Sequence, residues 1–302
     1  MKPTKVDTEV VKISVSEFAR ALDLEVIFEG RGEVPLQSIS VSRPGLQLSG
    51  YLKHFDSTRI QVLGHAEYEY MRELNKEKRL AMIDALFGRN IPCLIIARGL
   101  EFTADTLETA KKYNCPLFRS SKITTVLIND ITIYQSELLA PTEVMHGVLV
   151  DVFGVGKSEI ALELVNRGHR LIADDSVIIK NINDQLVGKS PEKIRYYMEI
   201  RGIGIINIQR MFGPGSVRPD KGVDIIAELS PWEHGKNYDR IGINEVYEDI
   251  LGIKIQKVTI PVTPGRNIPI VLETAARKFR LRQEGYDPAS DLMESVFGQT
   301  EE

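Results

Sequence analysis

The hydrophobic positions of the first half fall into short alternating patterns. In "SVSEFARALDLEVI" (14–27), Phe18, Leu22 and Leu24 share one helical face, with Ser14 or Ser16 available as a cap. "RIQVLG" (59–64) and "CLIIARG" (93–99) are apolar runs closed by glycine, the pattern of buried strands. Between them "AEYEYMRELNKEKRLAMIDALFG" predicts a helix stopped at Gly88. "TADTLETAKKYNCPLFRSS" predicts another helix, leading into a strand at Pro116–Phe118. Strands alternating with helices predict an α/β domain over about residues 1–130. "KITTVLINDITIYQSELLAPTEV" reads as a connecting helix, and "APTE" (140–143) as the best place for a domain boundary.

The second half opens on the strand-like "HGVLVDV". In "KSEIALELVNRGHR", Ile160, Ala161, Leu164 and Val165 lie on one helical face and Gly168 marks the stop. "RLIADDSVIIKNINDQLVGK" reads as a strand, an acidic turn and a hairpin. A strand, a glycine loop, a helix and a strand ending in acidic residues form the skeleton of a P-loop domain. "MEIRGIGIINIQRMFGPGS" (198–216) predicts a bulged strand whose glycines let a ligand approach the backbone. Short β-like runs follow, then a closing helix from about Val271 and a frayed tail after Asp291.

Composition narrows the class. At 302 residues the chain is long enough for two domains with cores of their own. With 43% hydrophobic and 26% charged residues and a net charge of -4, it lacks the clustered basic stripe of a nucleic-acid protein. No apolar run is long enough to span a bilayer, and "MKPTKVDTEVVK" has no signal-peptide core, so a cytoplasmic protein with no membrane partner is expected. Cys93 and Cys115 sit in the apolar contexts "NIPCLII" and "YNCPLF" and read as reduced core residues.

The candidate chemistry centres on Gly156-Lys157-Ser158, the end of a G-x-x-x-x-G-K-[ST] phosphate loop. In such a loop backbone N–H groups cradle phosphates, the lysine neutralises the terminal ones and the serine hydroxyl binds Mg²⁺. The opening glycine falls at Asp151, whose carboxylate would repel phosphate. Asp174-Asp175 lies 17 residues after the lysine, where a metal-organising or proton-accepting carboxylate belongs; a solvated acidic turn is the other reading. Adjacent strand side chains point opposite ways, so only one of the two need face a site. Glu199 and Arg201 flank glycines, Arg240 lies in "YDRIG", and Arg266 lies in "PVTPGRN" (261–267). Such an arginine either grips phosphate or sits on a structural turn. His146 precedes the strand leading to the loop, and a lone histidine is more often structural than catalytic.

Taken in order, "SRPGL" (42–46), "HGVLVDV", "GKSE", "RGHRLIADD", "MEIRGIGIINI", "YDRIG" and "PVTPGRN" resemble the bifunctional HPr kinase/phosphorylase family over nearly the whole chain. The resemblance implies an N-terminal α/β domain (1–135) and a C-terminal P-loop kinase domain (136–302) similar to the phosphoenolpyruvate carboxykinase core, in a homohexamer. It implies phosphorylation of a regulatory serine on the phosphocarrier protein HPr by ATP or pyrophosphate. It also implies phosphorolysis of that phosphoserine to pyrophosphate, the two reactions controlling carbon catabolite repression. By the same resemblance, Gly154, Gly156, Lys157 and Ser158 hold the donor, with Lys157 on the β/γ-phosphates. Ser158 and Glu199 would bind Mg²⁺. Asp175 would accept the serine proton in the kinase direction and return it in reverse. His146 and Arg240 match the remaining active-site positions. Residues 198–207 match the stretch used in both directions, and Pro261, Val262, Thr263, Pro264, Gly265 and Arg266 the loop tied to dephosphorylation.

One departure stands out. In the family a further apolar strand and the opening of the glycine loop follow the segment resembling "HGVLVDVFGVG". Here roughly ten residues of that pattern are absent and "VFGVG" runs straight into "KSE". The stretch is truly lacking, or was removed by design, or was disordered and dropped from the written sequence. The third account is preferred, because losing a central strand and the first glycine should wreck a P-loop core. On that account Asp151 is a strand residue outside the loop. Ordinary Cα spacing of about 3.8 Å at every link from Phe153 to Ser158 would refute it. A loop truly cut short favours instead a non-catalytic regulator that docks HPr. A small-metabolite kinase is a third reading, against which "PVTPGRN" argues.

Overall fold

A computed structural model describes residues 10–150, 158–233 and 245–297. The chain divides between Ala140 and Pro141 into two compact units. The first contains β1 (Val11–Ser14), α1 (Val15–Leu22), β2 (Glu25–Phe28), β3 (Glu33–Leu36), β4 (Val41–Ser42), α2 (Gly45–Leu48) and β5 (Ile60–Leu63). It continues with α3 (His65–Glu73), α4 (Lys76–Phe87), β6 (Leu94–Ile96), α5 (Ala104–Tyr113), β7 (Leu117–Arg119) and α6 (Thr124–Leu138).

A five-stranded sheet in the order β2-β7-β6-β5-β4 runs through this unit; β4 to β7 are mutually parallel and β2 is antiparallel. β5 and β6 are buried at every position, as parallel strands covered on both faces should be. Alternate residues feed two cores. Ile60, Val62 and Ile95 pack with Phe18, Leu127 and Ile131. Leu63, Leu94 and Ile96 pack with Leu86, Phe87 and Leu117. The Ser14 side chain caps α1 by accepting the Glu17 N–H at 3.2 Å. The single helix expected before Gly88 is two, because Leu74 is extended and the Asn75 side chain starts a new helix by accepting the Lys78 N–H at 2.9 Å. Cys93 and Cys115 are free and buried. Burial pushes both thiols up, Cys115 to about 12.

The second unit begins with β8 (Thr142–His146), β9 (Leu149–Val150), α7 (Ser158–Asn166), β10 (Leu171–Ala173), β11 (Ser176–Ile182) and β12 (Gln185–Lys189). Next come β13 (Tyr197–Ile200), β14 (Gly204–Asn207), α8 (Ile208–Phe212), β15 (Asp220–Gly222) and β16 (Ile225–Pro231). It closes with β17 (Val246–Ile250), β18 (Ile253–Val262), α9 (Ile268–Gln283) and α10 (Pro288–Phe297). An antiparallel sheet has the order β15-β12-β11-β8, and a mixed one the order β16-β18-β17. β9 pairs with β10, and β13 with β14. At Gly188 on β12 any Cβ would stand 2.4 Å from the Leu149 side chain, so glycine is what lets β9 pack there.

Three expectations change. "HGVLVDV" is not one strand, because the chain breaks at Gly147, whose N–H donates to the Asp175 carbonyl at 3.1 Å. The bulged strand expected over 198–216 is a hairpin of β13 and β14, turned through Gly202 (φ 82°) and Gly204 (φ 95°), where glycine is favoured, followed by α8. The tail expected to fray after Asp291 continues as helix to Phe297. Among the described residues no helix is long and apolar enough to cross a membrane.

Candidate active site

The site is organised by one buried carboxylate. β10 ends at Ala173, and Asp174 follows it at 6% exposure. Asp174 accepts the Ser158 hydroxyl at 2.8 Å (Oδ1) and 3.0 Å (Oδ2), and the backbone N–H of Glu199 at 3.3 Å (Oδ2). It thereby ties the first residue of α7, the end of β10 and the middle of β13 together. Burial pushes its pKa up, and the hydrogen bonds from Ser158 and Glu199 pull against that.

Asp175 is exposed and stands at φ 61°, in the left-handed region that aspartate and asparagine tolerate best after glycine. The reversal turns the chain into β11, where Ser176 pairs with His146 on β8. His146, Ser158, Asp174, Asp175, Glu199 and Arg201 consequently line one cavity of about 710 Å³. Leu149, Val177, Ile226 and Leu229 add apolar surface to the same cavity. Lys257, also in the wall, is held by Glu228 at 3.1 Å and Glu248 at 3.2 Å, and those carboxylates raise its pKa.

Four sequence candidates thus converge: His146, Ser158, Asp175 and Glu199. The loop Pro261–Arg266 does not line this cavity. It closes on itself, the Arg266 guanidinium donating to the Pro261 carbonyl at 2.7 Å and the Arg266 N–H to Thr263 at 3.2 Å. Beside it the Trp232 N–H donates to the Val262 carbonyl at 3.2 Å. Asp151, Gly154, Gly156, Lys157 and Arg240 lie outside the described residues, as do the links from Phe153 to Ser158. Spacing alone left the two aspartates undivided, the resemblance singling out Asp175 without giving Asp174 a role, and Lys257 was overlooked. The first could have been resolved by noting that only Asp174 directly continues the buried run "LIA".

Among the described residues no group of three His, Cys, Asp or Glu side chains would hold a metal alone. Ser158, Asp174 and Glu199 are hard oxygen donors. That set suits Mg²⁺, which is held through one or two carboxylates plus substrate phosphates rather than in an all-protein cage.

Comparison with known families decides the affiliation. The HPr Serine kinase N terminus matches residues 13–134 and the HPr Serine kinase C-terminal domain residues 137–296. The chain belongs to the HPr kinase family. Its relatives include the HPr kinase/phosphorylase of Peptoclostridium acidaminophilum, 45% identical over 301 positions that cover 96% of this chain and 98% of the relative. That of Clostridium perfringens (strain SM101 / Type A) is 40% identical over 292 positions, covering 93% and 95%. The solved HPr(Ser) kinase/phosphatase from Coxiella burnetii is 34% identical and covers 50% of this chain and 99% of its own, with a TM-score of 0.45. The family has two domains, and this chain carries both in a mixed α/β architecture.

The full amino-acid sequence is 302 residues and runs without interruption through 151–157, which corrects the preference for a stretch dropped from the written sequence.

Proposed function

We propose that this chain phosphorylates a serine of HPr, using ATP or pyrophosphate with Mg²⁺, and removes that phosphate with inorganic phosphate to give pyrophosphate. The observation that carries this is the convergence of Ser158, Asp174, Asp175, Glu199 and His146 on one cavity in a chain of this family. In the forward reaction the serine oxygen attacks the terminal phosphorus, the donor's bridging oxygen leaves, and the serine proton passes to Asp175. In reverse a phosphate oxygen attacks the phosphoserine phosphorus and Asp175 returns the proton to the departing serine oxygen. When bound, Mg²⁺ neutralises charge building on the phosphoryl oxygens.

The two aspartates divide the work. Asp174 is buried and its oxygens are occupied, so it positions. Asp175 is exposed, within reach of a protein substrate, so it exchanges the proton. Because Ser158 donates its one proton to Asp174, both lone pairs of its oxygen stay open to a cation, with Glu199 alongside. Lys157, Gly154 and Gly156 complete the phosphate cradle, His146 and Arg240 complete the site, and Pro261–Arg266 serves the phosphorolytic direction. The reading includes a carboxykinase-like P-loop core, domains at 1–135 and 136–302, a homohexamer and a cytoplasmic setting.

The shortened segment before Ser158 favours a second reading, a regulator that docks HPr without transferring phosphate. Incubation with HPr, Mg²⁺ and either ATP or pyrophosphate separates the two. One added phosphoryl group on HPr by intact mass supports the enzyme. Unmodified HPr that still binds the chain supports the regulator.

A further inference from the structure

The two faces of the β13–β14 hairpin differ. Met198 and Ile200 point inward and, with Ile206, pack against Ala161 and Val165 of α7. The alternate face holds Glu199, which lines the cavity, and the pairing register sets Ile205 directly opposite it. Opposed residues of an antiparallel pair share a face, with Cβ atoms about 5 Å apart. An isoleucine therefore stands beside the carboxylate that the reaction above gives to Mg²⁺.

That isoleucine is 74% exposed, and Ile203 in the adjoining turn is 73% exposed. They are the two most exposed large hydrophobic side chains among the described residues. The turn that carries them is closed: the Ile203 N–H donates to the Ile200 carbonyl at 3.1 Å, between glycines at positive φ. It also projects, since a Cβ on Gly202 or Gly204 would meet no atom within 4 Å beyond its chain neighbours. Two neighbouring isoleucines held out in water bury nothing within the fold and gain only from a contact made after it.

Shape and place say what covers them. Small ligands bind in concave sites, and a projecting turn encloses none. The surface of a second protein can cover it. The serine that gives its proton to Asp175 arrives on a protein, and the face carrying Ile205 borders the same cavity through Glu199.

We propose that Ile203 and Ile205 form a docking edge for HPr, covering an apolar patch of HPr close to its target serine. This rests on the kinase reading above. Glu199 and Arg201, in the cavity wall, face the phosphoryl group, while the isoleucines beside them hold the protein that receives it.

Calorimetric titration of HPr into the full chain with Mg²⁺, beside light scattering for molecular mass, tests the assignment. Ile203→Ser combined with Ile205→Ser should weaken HPr binding at least about tenfold at unchanged molecular mass, because both side chains lose their apolar burial. Both positions are exposed, so urea unfolding followed at Trp232 should keep the wild-type midpoint. Ile203→Leu combined with Ile205→Val should bind HPr as the wild type does, which only an apolar contact explains. Val246→Ser, exposed on β17 and outside the cavity wall, should also leave HPr binding unchanged. In steady state the double serine variant should raise KM for HPr more than it lowers kcat. HPr bound equally by the wild type and the double serine variant overturns the docking edge and leaves the kinase reading standing. Affinity lost only together with a fall in molecular mass assigns the isoleucines to contact between copies, and also overturns it. HPr that the wild type neither binds nor phosphorylates removes the kinase reading and the docking edge with it.

Discussion

Replacing Glu273 by glutamine tests the electrostatic tie between α9 and the end of α7, the helix that carries Ser158. Glu273 accepts two hydrogen bonds from Arg167, at 2.9 and 2.7 Å, and one from His169 at 2.8 Å. Those bonds, the arginine first, lower its pKa from 4.5 to about 2. At roughly 1.4 kcal/mol per unit the ceiling on its contribution is about 3 kcal/mol. The side chain is 13% exposed but lies close to the surface, and Arg167 is 32% exposed, so screening reduces this to about 1–2 kcal/mol. The sign follows from a depressed folded pKa: the stabilisation is fully present above pH 4.5 and is lost as pH falls toward 2. The single tryptophan, Trp232, lies in the second unit and reports its unfolding in urea by fluorescence. Glu273→Gln should cost about 1–2 kcal/mol at pH 7 and much less at pH 2.5. An equal penalty at both pH values, or none at pH 7, would refute the electrostatic account.

Asp174→Asn should slow phosphoryl transfer to HPr at least about a hundredfold, because Ser158 loses its charged acceptor; a steady-state assay at saturating Mg²⁺ checks this. Asp175→Asn should leave the fold and HPr binding intact while removing both directions of transfer, measured by titrating HPr and by intact mass. Cys93 and Cys115 should resist a thiol reagent at pH 8 until the first unit unfolds, since burial holds both as thiols; labelling before and after urea decides it.

The alternation of strands and helices was legible in the first unit because β5 and β6 are buried on both faces and read as unbroken apolar runs. The break at Leu74–Asn75 was not, since "ELNKEK" continues a helical pattern and only the Asn75 cap reveals the new start. Ser158, Glu199 and the acidic pair were visible as motif positions. Their division of labour was not, because it depends on Asp174 lying inside and Asp175 at a reversal. The 198–207 hairpin was hidden because Gly202 and Gly204 fit a bulge as well as a turn until pairing partners are known. Lys257 was silent in sequence, its partners Glu228 and Glu248 lying on two neighbouring strands.

The left-handed backbone at Asp175 has a bearing on which sequences this position can hold. Glycine, asparagine and aspartate accept that conformation readily, and of these aspartate alone can exchange a proton. A library randomised at codon 175 should therefore separate into two nested sets. Selection for folded protein should retain the three small residues, while selection for phosphoryl transfer should retain one. Glutamate, the usual conservative exchange, should be depleted by about 1 kcal/mol of backbone cost in the first set, though not lost, since Arg98, Tyr196 and Leu251 also stand at positive φ in this fold.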